Sequence, residues 1–125
     1  MQYYKLVRNF SGRLVSFYAP GQAMVEYRPG EWTRPPRFLS EQDYGLFVFT
    51  SYQSAMAFVD PVLDFDAELW ECECRDRLRL PKPLDIVYLA EGRMIENPLF
   101  GFPENTACFR EVKLTKRIRV FGENY

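Results

Sequence analysis

The chain has 125 residues, 47% of them hydrophobic and 26% charged, and its 16 basic and 17 acidic side chains leave a net charge of -1. A chain of this length buries roughly two thirds of the surface it exposes when unfolded, so it can build a core without metal or disulfide, and one domain over residues 1–125 is expected. Its near-zero charge argues against a general nucleic-acid or membrane-surface binder, and no apolar run reaches the length of a membrane span.

Tyr4, Leu6, Arg8 and Phe10 alternate with Tyr3, Lys5 and Val7, which reads as a strand. Ser11-Gly12 marks a turn into a second strand, Leu14 to Tyr18, making a hairpin. Met24 to Tyr27 reads as a short third strand, stopped by Pro29-Gly30. The segment Arg28 to Arg37 carries three prolines, frequent charges and Trp32, so neither a ladder strand nor a helix is expected there. A preformed contact loop is the expectation, with Tyr27, Arg28, Trp32 and Arg34 as candidate binding residues, since Tyr, Trp and Arg dominate interface hot spots.

Ser40 to Tyr44 has the pattern of a helical turn. Leu46 to Phe49 is a continuous apolar run and predicts a central strand buried on both faces. Thr50-Ser51 can cap a helix, and Ala55, Phe58 and Val59 fall on one apolar face before Asp60-Pro61 ends it. Leu69 to Arg75 reads as a strand with Trp70, Cys72 and Cys74 on one side and Leu69, Glu71 and Glu73 on the other. Leu78-Leu80 and Leu84 to Leu89 are further strand candidates, and Glu91 to Asn105 reads as a long loop. Ala107 to Leu114 and Ile118 to Phe121 close the chain as strands. The expected fold is α+β: a twisted, mostly antiparallel sheet of about seven short strands, able to curl into a half-barrel, with one principal helix over about residues 51–59.

The chemistry is bounded by absences. The chain has no histidine, which removes the histidine-based triads, dyads and zinc sites. Cys72, Cys74 and Cys108 are too few and odd for a secreted disulfide framework, and Met1 to Lys5 has no signal-peptide core, so a cytoplasmic setting in a bacterium or an infected host cell is expected. No metal site and no resident cofactor are expected. Glu71 and Glu73, two apart on a strand, can share a face and work as paired carboxylates. Arg75, Arg77, Arg79, Lys113, Lys116, Arg117 and Arg119 form two basic stretches that could bind nucleic acid if the fold joined them.

Two resemblances follow from these residues. Arg8, then Phe49-Thr50-Ser51, then Glu71-Cys72-Glu73 resembles in order the motifs of the arginine-serine-glutamate mono-ADP-ribosyltransferases. That resemblance implies an enzyme, or remnant of one, in which Arg8 and Ser51 hold a nicotinamide dinucleotide and Glu73, with Glu71 beside it, polarises the reacting ribose. Tyr27-x-x-Gly30-x-Trp32-x-x-Pro35, Leu46 to Phe49 and Trp70-x-Cys72 look like small uncharacterised bacterial and phage proteins, which implies a compact stand-alone domain. The leading expectation is a non-catalytic binding or regulatory protein, phage- or mobile-element-associated, acting on a protein partner, with the transferase and nucleic-acid readings as alternatives.

Overall fold

A computed structural model describes residues 1–122. It is an α+β fold in which seven antiparallel strands form one twisted sheet: β1 (Tyr3–Phe10), β2 (Arg13–Ser16), β3 (Glu26–Tyr27), β4 (Trp32–Thr33), β5 (Leu46–Phe49), β6 (Ala67–Leu78) and β7 (Thr106–Val120). Three helices accompany it: α1 (Arg37–Ser40), α2 (Tyr52–Phe58) and α3 (Ile86–Ala90). Ser11 and Gly12, both at positive φ (53° and 86°), make the two-residue turn between β1 and β2 that matches the twist of a hairpin.

Strand β6 lies between β1 and β7, and β5 pairs β7 along its whole length. Strand β5 meets β1 only at the pair Tyr4–Phe49. The order β1, β6, β7, β5 therefore returns to β1 through one residue pair. Helix α2 starts where Ser51 accepts a hydrogen bond from the Ser54 amide at 3.3 Å. It packs Ala55 and the following Val59 against Leu6, Phe49 and Leu69, so it covers one face of the sheet as its periodicity predicts. Val7, Val48, Cys72, Val112 and Leu114 fill the opposite face.

Several local expectations are corrected. Leu84 to Leu89 is not a strand: Asp85 accepts from the Val87 amide at 2.9 Å and caps α3, leaving Leu84 with one isolated bridge to Glu96. Leu78 ends β6 rather than opening a new strand, and β7 runs without a break where two strands were expected. Both are long strands, 12 and 15 residues, and two register shifts in their ladder, which leave Ile118 and Thr115 of β7 unpaired, accommodate their twist. The helical turn expected at Ser40 to Tyr44 begins earlier, at Arg37 behind Pro35-Pro36. The segment Arg28 to Arg37 does contribute a ladder, because Trp32 and Thr33 pair Lys113 and Val112 between its prolines.

The uneven charge along the chain acquires a reason in the β6–β7 ladder. The acid-rich run on β6 faces the base-rich run on β7: Glu71 opposes Lys116, Glu73 opposes Lys113, and Arg75 opposes Glu111. Opposite charges across an antiparallel pair stabilise it, and two of these three pairs close into ion pairs, Glu73 with Lys113 at 3.1 Å and Arg75 with Glu111 at 2.8 Å.

Candidate functional site

One edge of β1 is shared by two strands. At Tyr4 that edge pairs β5, and from Val7 onward it pairs β2. Continuing the β5 register would set Leu6 opposite Phe47, and continuing the β2 register would set Leu6 opposite Phe17. Both strands cannot occupy one edge, so they diverge and leave a wedge at Lys5 and Leu6. The wedge is a cavity of about 400 Å³, bounded by Lys5, Phe17, Val25, Tyr27, Phe47 and Val48. Helices α1 and α3 close one side with Leu39 and Leu89, and the loop Phe100 to Pro103 closes another, with Phe102 stacked on Phe47 at 4.7 Å.

The charged side chain in this apolar lining is Lys5. It is buried, and its ammonium reaches across the parted strands to donate to the Phe47 carbonyl at 2.6 Å. That carbonyl sits where the β1–β5 ladder has opened, so Lys5 takes the place of a missing backbone donor. The short bond is of the charge-assisted kind. Nζ also lies 5.4 Å from the Tyr27 ring centre. Burial lowers the Lys5 pKa from 10.5 to about 8 against the opposing influence of Cys72, Cys74 and Cys108 nearby. Burial also pushes the Tyr27 hydroxyl far above its ordinary range, so it stays a neutral donor. Among the described residues, no carboxylate pairs with Lys5.

No family model, curated protein or solved structure matches this chain.

The residues singled out in the sequence lie elsewhere, with one exception. Arg8 bridges Asp66 at 2.6 Å and Asp64 at 2.9 Å and lies over the Phe17 ring, holding the loop before β6. Its ladder partner is Ala67, four residues or roughly 13 Å along β6 from Glu71 and further from Glu73. Ser51 caps α2. Glu73 is exposed and pairs Lys113 at 3.1 Å, while the Glu71 carbonyl accepts from Thr115. None of Arg8, Ser51, Glu71 and Glu73 lines the cavity, so the transferase reading draws no support from it.

Tyr27 was expected on an exposed contact loop, but its side chain is buried: β3 pairs it with Leu14 and turns its ring inward, where it becomes a wall of the cavity. Arg28 is exposed. Trp32 is half-buried between two cations, 4.0 Å from the Arg75 guanidinium and 4.9 Å from Lys113 Nζ. Arg75 in turn holds Glu111 through Nε at 2.8 Å and a second nitrogen at 3.0 Å, and Arg34 reaches the same carboxylate at 3.3 Å. Trp32 and Arg34 thus belong to a clamp that ties β4 to the long ribbon. Cys72 and Cys74 lie with their sulfurs 3.8 Å apart. That contact and burial push the Cys72 thiol up, so it behaves as an inert core group.

Sequence reasoning passed over Lys5. A lysine within an alternating strand reads as the solvent side, and here both sides of β1 are covered. The detectable signal was the pattern of its neighbours: Lys5 shares a face with Tyr3 and Val7, both of which pack into the core.

Proposed function

We propose that this chain is a non-catalytic binding protein that holds a small molecule with an apolar body in the wedge between β1, β2 and β5. The observation that carries this reading is the cavity itself: about 400 Å³, lined by aromatic and aliphatic side chains with few polar groups among them. Ligand pockets fall at roughly 300–1,000 Å³ with this kind of lining. The lining reaches the surface through Tyr18, Ile86 and Phe100, all of them exposed, which gives a ligand an apolar way in.

The test is a titration with N-phenylnaphthylamine, a neutral dye that fluoresces in apolar surroundings. Saturable binding at one site is expected, and Ala19→Trp, which places a large ring in the lining, should abolish it without lowering the melting temperature. Absence of saturable binding by the wild-type chain would overturn the reading.

A second reading, a protein partner docking over the same mouth, draws on the apolar groups that surround it. Leu99 is 94% exposed beside Phe100, and Val87 of α3 is 65% exposed. Apolar side chains gathered in this way mark contact surfaces more often than chance exposure. Size-exclusion of lysate from a native host, probed for a complex that Leu99→Glu dissolves, tests it; a chain that stays monomeric in that lysate counts against it.

A further inference from the structure

We propose that the ligand of the wedge is an amphipathic monocarboxylic acid, its carboxylate seated on Lys5 Nζ beside the Tyr27 hydroxyl and its apolar body lying along Phe47, Val25 and Phe17. The inference rests on the cavity-binding reading and adds the head group to it. Three observations meet here. An ammonium offers three donors, and Lys5 uses one of them on the Phe47 carbonyl. Among the described residues no carboxylate balances its charge, although every other strongly buried charged group of the sheet has a side-chain partner: Glu68 accepts from Asn9 at 2.9 Å and Trp70 at 3.0 Å, and Glu111 is held by Arg75 and Arg34. Finally, the Tyr27 ring lies 5.4 Å from Nζ and Tyr27 lines the same cavity.

A buried, unbalanced cation beside a neutral phenol that lines the same cavity complements a carboxylate, which can accept from both. A neutral alcohol of the same length would fill the apolar part equally well but leave the charge unbalanced. Hydrogen bonds to a charged group are strong enough that the acid should bind roughly ten- to a hundredfold more tightly than the alcohol. A dicarboxylate would place a second charge among the aromatic walls and should bind poorly.

The experiment displaces N-phenylnaphthylamine from the wild-type chain with decanoate, decanol and decanal at pH 7. Decanoate is expected to displace the dye at concentrations at least roughly tenfold below decanol. In Lys5→Met and in Lys5→Gln, which keeps a neutral donor toward the Phe47 carbonyl, the dye should still bind and the two competitors should become equivalent. Equal displacement by decanoate and decanol in the wild-type chain overturns the carboxylate inference and leaves the cavity reading standing, since the dye is bound. Decanal retained on Lys5 after borohydride reduction, with no preference for decanoate, also overturns it by assigning Lys5 to imine formation instead. If the dye itself does not bind, the cavity reading fails first. Because the wild-type comparison alone can refute the inference, it survives a variant that does not fold.

Discussion

Lys5→Met gives a test of the cavity wall that needs no ligand. Burial lowers the Lys5 pKa from 10.5 to about 8. Each unit corresponds to about 1.4 kcal/mol, so the shift stands for folding free energy on the order of 3 kcal/mol. The sign follows from proton counting. Above pH 10.5 the amine is neutral in both states and costs nothing. Between pH 8 and 10.5 the unfolded chain binds the proton and the folded chain does not, so stability rises with pH. Below pH 8 the proton is bound in both states and the full cost is present. Other groups act in the same window with opposite sign: the thiols of Cys72 and Cys108 and the Tyr27 hydroxyl are all raised by folding, so ionisation of the unfolded chain destabilises the fold as pH climbs. The comparison must therefore be a double difference. Urea unfolding of the wild-type and Lys5→Met chains at pH 7 and pH 10 is expected to show the wild type gaining on the order of 3 kcal/mol relative to the variant. Parallel behaviour of the two chains would refute the claim that Lys5 is held without compensation inside the fold.

Gly45 lines the cavity where a Cβ would meet the Phe109 carbonyl, the Cys108 sulfur and Leu78, so Gly45→Ala should destabilise by about 1–3 kcal/mol in urea unfolding. Trp32→Ala removes a half-buried ring held by two cations; a loss of about 1–2 kcal/mol is expected, against about 3–5 for a fully buried aromatic, and a loss at the upper figure would mean that the clamp is core. The hydrogen bonds from Arg75 and then Arg34 hold the Glu111 carboxyl down at about 2, below its ordinary 4.5. Its contribution is present above pH 4.5 and lost as pH falls toward 2, so acid unfolding of Glu111→Gln should be flatter over that interval than that of the wild type.

Much of the sheet was legible because the residues carry their own periodicity. Leu46 to Phe49 is continuous and apolar since β5 packs Leu46 and Val48 into one core cluster and Phe49 into the other, and Ser51 with Ala55 and Val59 writes a capped amphipathic helix into nine residues. Where the reading failed, a short local signal competed with a long-range one. Leu84 to Leu89 is apolar enough for a strand, yet Asp85 accepts from the Val87 amide at the start of α3, and only Leu84 makes a bridge, to Glu96. Trp32 and Thr33 pair with β7 despite flanking prolines because two residues suffice for an edge ladder. The candidate site was the least legible part. It arises from the change of partner along one edge of β1, and such a change is a property of the register between Tyr4 and Val7, not of any residue pattern.

The presence of lysine at that point carries its own argument. A carbonyl facing a gap in a ladder needs a donor, and a serine, an amide or a bound water supplies one without bringing in a charge. A lysine supplies the same hydrogen bond together with a positive charge that the apolar walls of the wedge cannot solvate. By the pH argument above, that charge works against folding at neutral pH. A charge that destabilises the free protein and is balanced by a ligand makes the ligand a stabiliser of the fold. The acid-bound chain should accordingly melt higher by an amount that grows with the logarithm of ligand concentration, and Lys5→Met should begin nearer to that bound stability, its own rise setting in only at decanoate concentrations at least roughly tenfold higher. A rise that sets in at the same decanoate concentration in both chains would show that Lys5 serves the ladder and not the ligand.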